Sequence, residues 1–141
     1  MIAGTRFRYP HMLPADQLLW DVFLPKYGSY WDGFDYDIHV GEGVGPLPGY
    51  PPGIARAALS LTQKRIDAVG YRGSEVWVFE IKPHAGLSAI GQVLSYSELY
   101  DTAHPGGLVT HKAIVTDLTD ADIHTLCRTW AIRLYSLGNV A

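Results

Sequence analysis

Cysteine is nearly absent from this sequence, because Cys127 is the single thiol among 141 residues. One thiol excludes a disulfide within the chain and a cysteine-ligated zinc site, and the six histidines lack the spacing of zinc ligands. No apolar run reaches the roughly 20 residues that cross a bilayer, and no signal-peptide pattern opens the chain. We therefore expect an intracellular, cytoplasmic protein with no membrane partner.

Positive charge is also scarce. Eleven Lys and Arg residues stand against fourteen Asp and Glu residues, which gives a formal net charge of −3. This balance argues against a protein that holds nucleic acid mainly by bulk positive charge. It does not exclude a nuclease, because carboxylates gathered around a metal ion make the formal charge more negative. Phosphate-binding loops, dinucleotide-binding glycine patterns and nucleophile-elbow serines are missing as well.

Hydrophobic residues make up 48% of the chain, enough to bury the core of one domain covering residues 1–141. Their periodicity predicts three helices and five strands in the order α-β-β-β-α-β-α-β. An antiparallel meander comes first, and the later helical crossovers allow parallel pairing. We therefore predict an α/β fold with a mixed central sheet flanked by helices. The predicted helices cover residues 14–26, 86–101 and 119–129, and the strands cover 34–40, two segments within 65–82, 112–116 and 130–136.

Two segments precede the central pair of strands. Residues 34–40 alternate with period two, so we predict that Phe34, Tyr36, Ile38 and Val40 share one face of a strand. The following segment, Gly41–Gly53, contains five glycines and four prolines and cannot form a regular element. It is either a solvated surface loop or a loop that grips a substrate.

Three charged residues lie within the otherwise apolar strand pair of residues 65–82. Asp67 belongs to the first strand, whereas Glu80 and Lys82 share one face of the second. If the turn at Tyr71–Ser74 has an even number of residues, Asp67 lies opposite Val78, one diagonal step from Glu80. Buried charge is costly unless it is paired or bound to metal. The pattern therefore predicts an acidic site for a hard divalent cation, with an amine beside it.

This combination resembles a known family. The sequence resembles the PD-(D/E)XK, or restriction-endonuclease-like, nuclease superfamily in three features. They are Asp67, the Glu80-Ile81-Lys82 run at a strand end, and a following helix with Gln92 and Tyr96. The Gln and Tyr four residues apart resemble the extra motif of its RecB-type branch. The stretches LTQKRIDAVG, VFEIKP and GLSAIGQVLSYSELY are most similar to small nuclease-like proteins of bacteriophages. The αβββαβ core of that family would cover about residues 14–117.

The resemblance implies a role for each motif residue. Asp67, Glu80 and the carbonyl of Ile81 would hold Mg²⁺ or Mn²⁺, which are hard cations that prefer oxygen ligands. Lys82 would orient the attacking water or stabilise the transition state. Gln92 and Tyr96 share one helix face, so they would pack over the site, with the tyrosine near a phosphate.

Some positions leave alternatives open. Ile66 stands where the family often has proline before the first acidic residue. Many RecB-type members add an acidic residue from the first helix, for which Asp16 or Asp21 would serve, although stabilisation of the helix end is the simpler role for Asp16. Asp37 is either an outer carboxylate of the site or part of a solvated face.

Contacts to DNA are predicted at three positions. Lys64 and Arg65, just before Asp67, are the basic residues that we expect to grip the DNA backbone. His84 is either a phosphate contact or an ordinary loop residue. We leave three other basic residues as solvated side chains: Arg56, Arg72 and Lys112.

The sequence thus predicts a Mg²⁺- or Mn²⁺-dependent deoxyribonuclease that cuts DNA with metal-activated water and is directed to a DNA structure or end. The resemblance to bacteriophage proteins implies DNA processing, genome packaging or head completion, in the host cytoplasm or the virion. One alternative is a non-catalytic structural or DNA-binding subunit with the same fold, such as a phage neck or adaptor component that contacts phage structural proteins. Another is a Holliday-junction resolvase, which would require a homodimer.

Overall fold

The structure is a computed structural model that describes Tyr9 and residues 12–42, 49–56, 63–107 and 109–140. The predicted order of elements is confirmed, with two additions: a 3-10 turn at Gly28–Tyr30 after the first helix, and a short helical segment at residues 52–56 before the second strand. The helices are α1 (Pro14–Tyr27), α2 (Leu87–Ala103) and α3 (Ala121–Thr129), and the strands are β1 (Gly33–Val40), β2 (Lys64–Arg72), β3 (Glu75–Ile81), β4 (Val109–Thr116) and β5 (Ile132–Ser136).

The five strands form one mixed sheet in the order β1-β2-β3-β4-β5. The β1–β2 and β2–β3 pairs are antiparallel, whereas the β3–β4 and β4–β5 pairs are parallel. Parallel neighbours need a crossover connection, and α2 and α3 supply the two crossovers. The predicted α/β fold with a mixed central sheet is therefore confirmed.

Some boundaries differ from the prediction. Strand β4 begins at Val109, three residues before the predicted start, because its first residues pair with the start of β3. Residues 52–56, at the end of the predicted loop Gly41–Gly53, are helical, and residues 43–48 of that loop lie outside the described residues. Among the described residues, none of the helices has the length and apolar character needed to cross a membrane.

The two faces of the sheet bury different kinds of core. Helices α2 and α3 cover an aliphatic cluster that includes Val78 and Val93. Helix α1 covers the opposite face with an aromatic cluster in which Trp20 and Phe23 are fully buried. The alternation along β3 agrees with the prediction, because Val76 and Val78 lie in the aliphatic cluster and Phe79 and Ile81 in the aromatic one. Side chains of β3 therefore reach both faces, which places the chemistry near the centre of the sheet.

Strand β1 departs from simple alternation at Asp37. Phe34 and Tyr36 pack in the aromatic cluster, whereas Ile38 packs against the aliphatic cluster on the other face. Asp37 has a φ of 56°, in the left-handed region, and this residue shifts the alternation by one position. The prediction that Phe34, Tyr36, Ile38 and Val40 share one face is therefore wrong.

Candidate active site

The acidic residues of the strand pair lie at its open end, away from the turn. Ala68 pairs with Phe79, so Asp67 comes alongside Glu80. The backbone N–H of Ile81 donates a hydrogen bond to Oδ2 of Asp67 at 3.2 Å. The predicted register, with Asp67 opposite Val78, is wrong by two residues, because Val78 pairs with Val69. The turn has the expected even number of residues, and its shortness brings the two acids directly beside each other.

Burial is the largest cause of the raised pKa of both carboxyl groups, and the charge of Asp67 adds to the rise at Glu80. Burial and the charges of Asp67 and Asp16 raise the pKa of Glu80 to about 8, while Lys82 acts in the opposite direction. Burial also raises the pKa of Asp67 to about 6, against the hydrogen bond from Ile81. Glu80 is only 6% exposed. The pair is therefore an acidic site whose negative charge the nearby Lys82 offsets only in part, with no direct ion pair to either carboxylate among the described residues.

Lys82 follows β3 directly and is exposed to solvent. Its backbone N–H donates to the carbonyl of Val115 at 2.9 Å, which extends the parallel pairing of β3 with β4. Its charge lowers the pKa of Asp16, Asp67 and Glu80. Within the described part of the chain, however, its ammonium group forms no direct ion pair with them. The amine is thus close enough to act on the acids and remains available to a ligand.

Helix α2 carries Gln92 and Tyr96 one turn apart. Burial raises the pKa of Tyr96, the charges of Glu80 and Asp67 act in the same direction, and a hydrogen bond with Gln92 acts against them. Both carboxylates therefore face α2 closely enough to influence the tyrosine hydroxyl. The Oε1 atom of Gln92 is buried without a hydrogen-bond partner among the described residues.

Asp16 belongs to this cluster, although its sequence position favours only a role at the helix end. The residue lies in the first turn of α1, where it stabilises that end. Its charge also raises the pKa of Asp67 and of Glu80. The sequence held one indication that Asp16 lies near the acidic pair, namely the resemblance to RecB-type proteins, many of which carry an acidic residue on the first helix. Asp21, the other candidate, acts on Tyr9 and Tyr36 instead.

Asp37 is also part of the acidic environment. Its charge raises the pKa of Asp67 from the neighbouring strand. The β1–β2 ladder pairs Tyr36 with Ala68 and Ile38 with Ile66, and Asp37 and Asp67 lie at the same level between these pairs. Asp37 therefore faces the site as an outer carboxylate rather than a solvated side chain.

The three predicted DNA contacts differ in their surroundings. Lys64 is exposed at the start of β2. The guanidinium of Arg65 lies 3.8 Å from Oδ1 of Asp37, so part of its charge is already engaged. His84 is exposed in the loop after β3, where Asp117 accepts its backbone N–H at 2.7 Å and lies 3.1 Å from its Nδ1 atom. Lys64 and Arg65 come just before Asp67 in the chain, and His84 comes two residues after Lys82.

The oxygen donors of the site suit a metal ion that keeps part of its water shell. No group of three or more Asp, Glu, His or Cys side chains within the described ranges is arranged to hold a metal. Mg²⁺, however, is commonly bound by one or two carboxylates and keeps several waters. Asp67 and Glu80 provide two oxygen-donating side chains, and burial is the main cause of their raised pKa values. The two carboxylates are therefore oxygen donors of the kind that a hard divalent cation accepts.

Three solved structures share the fold of this chain. A repair endonuclease from Pyrococcus abyssi superposes with a TM-score of 0.55 at 13% identity, over 89% of this chain and 48% of that one. A complex of EndoMS with double-stranded DNA gives the same TM-score and identity over 96% and 49% of the two chains. A third structure, of a protein of unknown function, covers 85% and 56% at the same score and identity.

This likeness is one of fold. The chain spans about half the length of the solved structures that it matches. No protein-family model matches the sequence, and no curated protein matches it.

Proposed function

We propose that this chain is a Mg²⁺- or Mn²⁺-dependent deoxyribonuclease that hydrolyses phosphodiester bonds. The observation that carries the proposal is the pair Asp67 and Glu80, which lie side by side without an ion-paired cation among the residues that the structure describes, while Lys82 stands exposed next to them. The fold shared with a repair endonuclease and with EndoMS, whose structure holds double-stranded DNA, supports the same activity. As a finer assignment, we place the chain in the RecB-type branch of the PD-(D/E)XK superfamily.

Each residue of the site has a defined task in this reaction. A bound divalent cation would lower the pKa of a coordinated water and offset the charge on the phosphate. Asp67, Glu80 and the Ile81 carbonyl would hold that cation. Lys82 orients the attacking water and stabilises the negative charge that develops on the phosphate oxygens. Tyr96 contacts the phosphate from α2.

Two further residues keep this arrangement in place. Gln92 donates to the Tyr96 hydroxyl, and its buried Oε1 atom is available to accept from a water or from Lys82. Asp16 adds a third negative charge at the mouth of the site and draws the Lys82 ammonium toward it.

The DNA backbone would pass over the same end of the sheet. Lys64, Arg65 and His84 flank the acidic residues along β2 and after β3, and they would contact phosphates on either side of the scissile bond. The setting that we propose is processing of bacteriophage DNA, in genome packaging or head completion. This setting follows from the resemblance of the motif-bearing stretches to bacteriophage proteins.

Cleavage assays test the proposal directly. We expect the purified protein to cut supercoiled, linear or branched DNA with Mg²⁺ or Mn²⁺ and to stop when EDTA is added. Lys82→Ala and Glu80→Gln should each reduce the cleavage rate by about 100-fold or more. Lys26→Ala and Glu98→Gln change exposed residues of the same types on α1 and α2 and should retain the rate.

Two outcomes would redirect the assignment. A folded protein that cuts none of these substrates with either metal would contradict the nuclease and favour a structural or DNA-binding subunit. Cleavage restricted to four-way junctions by a dimer would identify a Holliday-junction resolvase.

A further inference from the structure

The end of the sheet away from the acidic site carries a pocket built mainly from aromatic rings. The pocket lies where α1 ends, beside the first half of β3, and has a volume of about 190 Å³. We call it the aromatic pocket. Its lining residues are Tyr27, Tyr30, Trp31, Trp77, Arg133 and Tyr135.

The rings of the aromatic pocket are held by one another. Trp77 stacks on His111 with the ring centroids 4.5 Å apart and meets Trp31 edge-on at 5.5 Å. Tyr27 lies 5.0 Å from Tyr135. These contacts fix the rings before any ligand arrives, so a ligand would lose little affinity to the ordering of side chains. Tyr27 and Tyr30 nevertheless remain 40% and 45% exposed, so part of each ring is open to a ligand.

Positive charge surrounds these rings. The guanidinium of Arg72 lies 3.7 Å from the centre of the Tyr30 ring, and that of Arg133 lies 5.7 Å from the centre of the Tyr135 ring. The nearest carboxylate on β3, Glu75, is 2.8 Å from Nε2 of His111 and is therefore already engaged. This end of the sheet therefore places Arg72 and Arg133 beside the rings, together with two carboxylates, Glu75 and Asp32, the second of which accepts a hydrogen bond from the backbone N–H of Gly73 at 2.9 Å.

A second cavity continues the aromatic pocket. It has a volume of about 250 Å³ and shares Trp77 and Arg133 with the first. Lys112 on β4 and Arg128 at the end of α3 add two more cations to its lining. Each cavity is smaller than the roughly 300–1,000 Å³ of pockets for drug-sized ligands. Together they form a groove that suits one flat ring and a negatively charged chain leading away from it.

We propose that this groove binds single-stranded nucleic acid. One unstacked base enters the aromatic pocket and stacks on its rings, and the adjoining phosphates lie along Arg133, Lys112 and Arg128. Stacking on aromatic side chains combined with a basic track is how proteins hold single strands without reading their sequence. The inference does not rest on the proposed hydrolysis, because the groove lies at the ends of β3 and β4 opposite to Glu80 and Lys82.

Binding of a labelled oligothymidine to the full chain, followed by fluorescence anisotropy in EDTA, tests the proposal. Tyr30→Ala and Arg133→Gln change exposed side chains, and each should weaken binding by roughly tenfold. Trp77→Phe keeps a ring in the packed position and should weaken binding less while the protein stays folded. Arg56→Gln removes an exposed arginine elsewhere and should leave the affinity unchanged.

One further ligand separates base stacking from attraction by charge alone, and one further variant separates binding in the groove from binding at the acidic site. An abasic oligonucleotide of the same length should bind at least tenfold more weakly, since it offers phosphates without bases. Glu80→Gln should bind oligothymidine like the unchanged protein, whatever its cleavage activity. Three results would overturn the proposal: equal affinity for the abasic strand, absence of saturable binding, or retained affinity in both Tyr30→Ala and Arg133→Gln. Any of them would favour a protein as the partner of this surface.

Discussion

The carboxylate of Asp67 accepts a hydrogen bond from the backbone N–H of Ile81, at 3.2 Å, and thereby lies beside the buried side chain of Glu80. This single contact ties β2 to the end of β3 beyond the last ladder pair. It also holds two acidic groups together where burial disfavours their charged forms. The arrangement costs folding energy, and the cost depends on pH and on cations.

The first prediction concerns the stability of the metal-free protein as a function of pH. The folded-state pKa of Glu80, about 8, lies above its ordinary value of 4.5, so its contribution to stability is fully present below pH 4.5 and is lost as the pH rises through 8. Glu80→Gln carries no such charge. In EDTA, its advantage in unfolding free energy over the unchanged protein should grow by about 1–3 kcal/mol between pH 5 and pH 8.5.

Urea unfolding at a series of pH values measures this difference. Glu98→Gln, on the exposed face of α2, is the matched control and should follow the unchanged protein throughout. Parallel stability curves for Glu80→Gln and the unchanged protein would show that Glu80 titrates normally in the folded state.

The second prediction concerns addition of metal. Mg²⁺ or Mn²⁺ should raise the unfolding free energy at pH 8, by about 2.7 kcal/mol at a concentration 100 times the dissociation constant. The gain should vanish in Asp67→Asn and Glu80→Gln and persist in reduced form in Asp16→Asn, because Asp16 acts through its charge on the pair. Thermal unfolding with NaCl at equal ionic strength as the reference measures it. An equal gain in all variants would place the cation elsewhere.

The third prediction concerns the left-handed backbone of Asp37. Asp37→Ala and Asp37→Gly both remove the contact of the carboxylate with Arg65, 3.8 Å away, so their difference isolates the backbone dihedral. Glycine adopts a φ of 56° without a Cβ clash, whereas alanine does not. Asp37→Gly should therefore be more stable than Asp37→Ala by about 1 kcal/mol in chemical denaturation. The reverse order would contradict the left-handed conformation.

The fourth prediction concerns two glycines with opposite surroundings. A Cβ on Gly70 would come within 2.9 Å of the Trp31 ring and 3.0 Å of the Phe34 ring, so Gly70→Ala should destabilise the protein by about 1–3 kcal/mol. A Cβ on Gly91, in α2, would meet nothing within 4 Å, and Gly91→Ala should stabilise by about 0.5–1 kcal/mol. Thermal unfolding of the two variants checks both signs at once.

Local sequence patterns sufficed for most of the fold. Strand β3 alternates apolar residues of two kinds, and the structure places Val78 and Phe79 on the faces that this period predicts. The crossovers through α2 and α3 follow from strands too far apart in sequence for a hairpin. Prediction of β1 failed at Asp37, since a single left-handed residue leaves no trace in apolar periodicity.

The amino-acid sequence by itself determined the order of the main elements. It also determined that Asp67 and Glu80 lie on neighbouring strands, that Lys82 comes at the end of the second one, and that Gln92 and Tyr96 lie on the following helix. These features depend on residues near one another along the chain. Only the tertiary structure decided that Asp67 comes beside Glu80, that Asp16 joins their electrostatic environment, and that rings from α1, β3 and β5 enclose a pocket. Each of these depends on contacts between distant segments, which are selected by packing of the whole core rather than by local propensity.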